Sequence, residues 1–254
     1  MSWDTIHKLV VNNLVEEKPH HMQYITKKNA NIPSSTGTTP LHLASLASYP
    51  TITSHLLSVG AKVNVGNEYG ETPLHWACKS GCLETVRLLV KHGAFLNAGD
   101  MDGNTPLHWL AENDHPAIVA FLLGEEPKLV QLENHEGQTA IHIACEWKNY
   151  ELVEFLLQHA QQHGFQSDIT AIVHESDDLK LIQILRDSKD RDNKANSLVS
   201  IIDSKETTNS PAETPIDNSP HIHKKSHRRG KRNPLATMKH ALEKLHVFST
   251  YNNQ

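Results

Sequence analysis

The sequence has only three cysteines, Cys78, Cys82 and Cys145, an odd and sparse set that makes no secreted disulfide framework and suits a reducing compartment. Long hydrophobic runs are also missing. The N-terminal stretch Trp3-Asp4-Thr5-Ile6-His7-Lys8-Leu9-Val10-Val11 is broken by polar residues too often for a signal-peptide core. Nothing approaches the roughly 18 apolar residues that a membrane span requires. The chain is therefore expected to be intracellular, in the cytoplasm and open to nuclear entry. No G-x-S-x-G, P-loop, H-E-x-x-H or dinucleotide-binding glycine fingerprint occurs, so neither an enzyme activity nor a cofactor is expected. With 254 residues, 38% hydrophobic and 21% charged, there is room for one or two domains around a modest core.

What the chain does have is repetition. A Thr-x-x-His block recurs as Thr39-Pro40-Leu41-His42, Thr72-Pro73-Leu74-His75, Thr105-Pro106-Leu107-His108 and Thr139-Ala140-Ile141-His142, at spacings of 33, 33 and 34 residues. A fixed period of this length belongs to a stacked repeat protein. Each threonine suits a helix N-cap, and Pro40, Pro73 and Pro106 suit the first helical position, where a missing N–H costs nothing. The histidine takes the third helical position, from which its ring can reach back to the cap or across to the adjacent repeat. A second helix follows in each unit, with apolar steps such as Leu83, Val86, Leu89 and Val90, or Tyr150, Val153, Leu156 and Leu157. Gly60 and Gly93 then supply a left-handed stop, and Gly70 and Gly103 mark the hairpin turns between units.

The blocks, their period and the recurring Gly-x-Thr and Leu-Leu positions, as at Gly70, Thr72, Leu88 and Leu89, resemble the ankyrin repeat. The resemblance implies an all-α solenoid of helix-turn-helix units with short β-hairpin turns, here followed by a disordered tail. Residues 1–33 read as N-terminal capping helices, with Ile6, Leu9, Val10 and Leu14 on one face, Met22 and Ile25 on another, and Asn29-Ala30-Asn31-Ile32 echoing the later loop Gly60-Ala61-Lys62-Val63. Full repeats span 34–66, 67–99, 100–133 and 134–168. Residues 169–186 keep Ile172, Leu179, Ile182 and Leu185 without the capping block, as a degenerate closing repeat. Departures fall late in the array. Ala140 replaces a proline, Leu110 replaces a small residue, Glu125-Glu126-Pro127-Lys128 replaces a Gly-Ala loop, and Asp114 and Lys148 stand where a glycine turn is usual. Repeats three and four are therefore expected to be slightly splayed.

Residues 187–220 are too polar to bury surface that offsets ordering entropy and read as a disordered linker. Residues 221–254 hold a basic run, Lys224, Lys225, Arg228, Arg229, Lys231 and Arg232, ahead of a short amphipathic helix with Leu235, Met238, Leu242, Leu245 and Phe248. Three readings of this run stay open: a nuclear import signal, a contact with nucleic acid or acidic membrane, and a solvated tail. Charge divides along the chain. From Ser34 to Arg186 there are 18 Asp and Glu against 8 Lys and Arg, a balance of −10, whereas residues 221–254 carry 8 against one, a balance of +7. Cys78 and Cys82 are spaced C-x3-C with His75 and His108 nearby, a conceivable zinc pattern, but the resemblance puts Cys78 and Cys145 at small helix-packing positions and Cys82 at the turn into the second helix. His221, His223 and His227 sit among cations that repel a metal. No metal site is expected.

The resemblance also implies where a partner would sit, because ankyrin arrays usually hold one with the hairpin tips and first helices on the concave side. Carried over by position, the tips offer Tyr69, Glu71, Asp102, Asn104, Glu136 and Gln138, and the helix ends offer Leu46, Lys79, Ser80, Glu112, Asn113, Glu146 and Trp147. As a set they are acidic with exposed aromatics, which suits another protein with a basic or arginine-rich contact. The expected function is that of a monomeric, non-enzymatic adaptor. The alternative is a pathogen effector, secreted into a host cell and using the same surface there, and an enzyme with a catalytic site formed by the tail ranks third.

Overall fold

The computed structural model describes residues 7, 8, 10, 19–165 and 178–190. The chain divides into two units, Met1–Asn209 and Ser210–Gln254. The second unit, with the basic run and the amphipathic segment of the tail, lies outside the described residues, as do residues 191–209.

Each repeat starts its first helix at the expected residue. Thr39, Thr72, Thr105 and Thr139 are extended N-cap residues, and they open α1 (Pro40–Leu46), α3 (Pro73–Ser80), α5 (Pro106–Ala111) and α7 (Ala140–Glu146). The second helices are α2 (Pro50–Ser58), α4 (Leu83–Lys91), α6 (Pro116–Glu125) and α8 (Tyr150–Gln162). First helices stack on first helices, α1 on α3, α3 on α5 and α5 on α7, while α2, α4 and α6 form a second row behind them. Leu41, Leu74, Leu107 and Ile141 fill the seam of the first row, and Leu56, Leu89 and Leu122 that of the second, all but sealed from solvent. Each such leucine contributes about 2 kcal/mol by leaving water.

A histidine ladder ties the repeats together. The backbone N–H groups of Thr39, Thr72 and Thr105 donate to Nδ1 of His42, His75 and His108, each at 3.1 Å, and Thr139 does so to His142 at 3.2 Å. The Nε2 atoms of the first three rings meet the carbonyl oxygens of Glu71, Asn104 and Gln138 in the following repeat, each at 2.9 Å. A carbonyl only accepts, so Nε2 carries the proton. Nδ1 is left as the acceptor for the cap, and the threonine hydroxyl at 2.8–2.9 Å donates to it as well.

The expected β-hairpins take the form of tight turns, with no strand among the described residues. Successive tips share one backbone bond each: Glu68 N–H to Thr36 O, Met101 N–H to Tyr69 O and His135 N–H to Asp102 O. Gly70 turns at φ 74° with Met101 N 3.0 Å from where a Cβ would stand, so only glycine fits.

Val10 and Ile25 are buried at the N-terminal end and Met22 packs against the core, but the second capping segment is a 3-10 helix, Pro19–Tyr24. Asn31 donates to Gly60 O and accepts from Lys62 N–H, as Asn64 does with Gly93 O and Phe95 N–H. These bonds align Asn31 with Asn64, which shifts the register of the echo from Gly60-Ala61-Lys62-Val63. The Glu125-Glu126-Pro127-Lys128 departure opens a second 3-10 helix, Pro127–Gln131, whose Leu129 and Val130 are buried.

Between paired helices, Gly81 is left-handed at φ 76°, and Ser48 (φ 59°) and Lys148 (φ 56°) adopt the same conformation; Asp114 does not. At the C-terminal end, α9 (Leu179–Asp190) packs on α8. Its phase corrects the sequence reading: Leu179 faces solvent and Leu181, not singled out above, is buried. The helix also runs four residues past Arg186 into the segment read as linker. Ile172 lies outside the described residues, as does the side chain of Leu185.

Candidate protein-binding face

Overlaying the repeats by their period sorts side chains into stripes that run along the stack. The position four residues after each cap proline or its replacement holds Ala44, Ala77, Leu110 and Ala144, all fully buried. Two residues further the stripe reads Leu46, Lys79, Glu112, Glu146, and next to it Ala47, Ser80, Asn113, Trp147. The turn tips contribute Thr36, Tyr69, Asp102, Glu136, and the residues before the caps are Thr38, Glu71, Asn104, Gln138. By register the sequence-derived candidates fall at first-helix ends, turn tips and the residues before the caps of successive repeats.

Their environments differ sharply. Asp102, Glu136 and Glu146 are exposed, and Trp147 is 52% exposed where an indole normally hides. Leu46, Tyr69, Lys79, Ser80, Asn104, Glu112, Asn113 and Gln138 are half-buried. Several of these are engaged internally: the Ser80 hydroxyl donates to Ser45 O, Asn113 Nδ2 to Trp109 O, Asn134 Nδ2 to Asn104 Oδ1, and Gln138 Nε2 to Glu146 Oε1 at 2.7 Å. Glu71 does not belong to the contact surface. Only 5% exposed, it accepts from Trp76 Nε1 at 2.9 Å and Asn67 Nδ2 at 2.7 Å, and burial pushes its carboxyl above the usual range. Its work is to hold the tip onto the helix. Asp100 does the same for Trp109 at 2.9 Å. Trp76 and Trp109 are buried, each edge-on to the histidine of the preceding repeat.

Burial lowers the pKa of Lys79, whose ammonium lies 5.4 Å from the centre of the Trp109 ring, with Glu112 and Glu71 pulling the other way. Burial raises Glu112; Lys79 opposes that rise, and the charges of Asp100 and Glu146 add to it. Met101, 61% exposed at the third tip, is not among the sequence-derived candidates, because it stands beside polar tip residues. The stripe Ser35, Glu68, Met101, His135 would have shown it as the apolar member.

A family model for ankyrin repeats, in three copies, matches residues 6–100 and 95–171. The chain belongs to the ankyrin repeat family. No curated protein matches it significantly. Ankyrin repeats are in general protein-interaction modules and typically not enzymes. In this ankyrin chain the three cysteines are free. Burial pushes the Cys145 thiol up to about 12 and raises the Cys78 thiol as well, the reverse of the lowered value that marks a reactive cysteine. No group of three or more potential ligands gathers to hold a metal ion among the described residues, and no helix there is long and apolar enough to cross a membrane.

Proposed function

We propose that this ankyrin array is a protein-binding adaptor whose contact surface is the row of first-helix ends and turn tips. One observation supports this most: the repeats agree where they touch each other and disagree on this face. The cap threonine and histidine recur in all four units, while the helix-end position changes from Leu46 to Lys79 to Glu112 to Glu146, and its neighbour from Ala47 to Ser80 to Asn113 to Trp147. A solenoid that only had to stack would leave this face uniformly polar. Instead it carries an exposed indole and a net negative charge, which fits a partner with a basic contact. Three free cysteines suit a reducing interior, so we place the protein inside a cell, a host cell included.

The experiment is a quantitative pulldown comparing the wild-type chain with the Trp147→Ala/Glu112→Lys double variant. A specific partner is expected to be enriched on the wild type and depleted about tenfold or more on the variant, with the circular dichroism spectrum unchanged. Equal recovery on a natively folded variant would refute the assignment of this face.

A further inference from the structure

The binding face has a polarity along the stack that its net charge conceals. At the first repeat it presents Thr36, Leu46 and Ala47; at the second, Tyr69, Lys79 and Ser80; at the third and fourth, Asp102, Glu112, Glu136, Glu146 and Trp147. The apolar end and the acidic end are thus two repeats apart. Glu112 is the singular residue of the acidic end. Half-buried, its carboxylate makes no hydrogen bond within the described residues; the charge of Lys79 offsets part of its burial, and two like charges, Asp100 and Glu146, act against it. Lys79, the cation acting on it among the described residues, has its ammonium 5.4 Å from the centre of the Trp109 ring. A carboxylate desolvated with one cation set against two like charges costs free energy that a ligand cation would recover. Trp147, the C-cap residue of α7, follows Glu146 in the chain and is 52% exposed, so its flat ring is open at the same helix end.

Resting on the reading of this face as a binding surface, we infer that its partner is an extended peptide segment. An arginine of that segment seats between Glu112 and Glu146 against the Trp147 ring, and an apolar side chain reaches Leu46. Arginine is favoured over lysine because its planar fork bonds two carboxylates at once and stacks on an indole. The spacing follows from the fold. Packed helices lie about 8–10 Å apart, so two repeat steps separate Leu46 from Glu112 by roughly 20 Å, which an extended chain at about 3.3 Å per residue covers in about six residues. The ligand is then an apolar residue about six positions from an arginine, in one orientation only.

The test is selection from a random dodecapeptide library displayed on phage against the full chain, followed by titration of the selected peptide, synthesised with its arginine or with citrulline in its place. The expected result is a consensus with an arginine about six residues from an apolar position. Its affinity should fall about tenfold or more with citrulline and with Glu112→Gln/Glu146→Gln, and fall on Trp147→Ala. Selected peptides without a cation that still lose binding on Trp147→Ala would overturn the arginine inference and leave the binding face standing. Peptides insensitive to all these changes, or no selection at all, would overturn both.

Discussion

His42 Nδ1 must stay unprotonated to accept from Thr39 N–H, and this turns a helix cap into a pH-dependent bond. Burial holds the ring near pKa 4 against the ordinary 6.5, and it depresses His75 and His108 in the same direction. A histidine depressed in the native state stabilises above its unfolded pKa. Between 6.5 and about 4 the unfolded chain takes up protons that the native rings refuse, so stability falls as pH falls through that window. Glu71 and Glu112, raised by burial, act in the opposite sense nearer the carboxylate range. The melting temperature is therefore expected to drop between about pH 7 and 5.5, and a flat profile there would contradict the neutral ladder. A second residue-scale expectation concerns Thr53. Its hydroxyl is fully buried with no hydrogen-bond partner, at the position where the other repeats carry Val86, Val119 and Val153. Thr53→Val keeps the shape, removes the orphan group and is expected to stabilise by about 1 kcal/mol; an unchanged or lower denaturant midpoint would count against it.

At the scale of the element, what was legible was what is bonded locally. The Thr-x-x-His block fixes each first helix because cap and ring are three residues apart, and the starts at Pro40, Pro73, Pro106 and Ala140 follow directly. Features that depend on neighbours were not legible. Glu71 reads as a surface tip residue and becomes buried only when Trp76 folds over it. Ser48 accepts a left-handed turn that its identity does not advertise, while Asp114, a better candidate, avoids it. In α9 the choice between Leu179 and Leu181 for the buried side is set by where Asp178 fastens the helix. One carboxylate oxygen accepts from Tyr150 O–H at 2.6 Å and lies 3.7 Å from Lys148 Nζ; the other accepts from Lys180 and Leu181 N–H as the helix cap. Asp178→Ala is expected to remove cap and tether together, so the amides of 181–190 exchange faster while the four repeats keep their protection. Loss of protection throughout would show that α9 is integral to the stack and not a fastened end piece.

At the scale of the repeat array, the ladder and the apolar seams recur from unit to unit, whereas the helix-end stripe changes at every step. On this account binding reads differences between repeats and stability reads their sameness. Substitutions on the helix-end stripe should therefore change affinity with little effect on unfolding, and substitutions in the seams the reverse. Hydrogen exchange of the chain with its bound partner tests this most directly. New protection is expected over the tips and first helices, at 36–47, 69–80, 102–113 and 136–148, with α2, α4 and α6 unchanged. Protection confined to that second helix row would contradict the account.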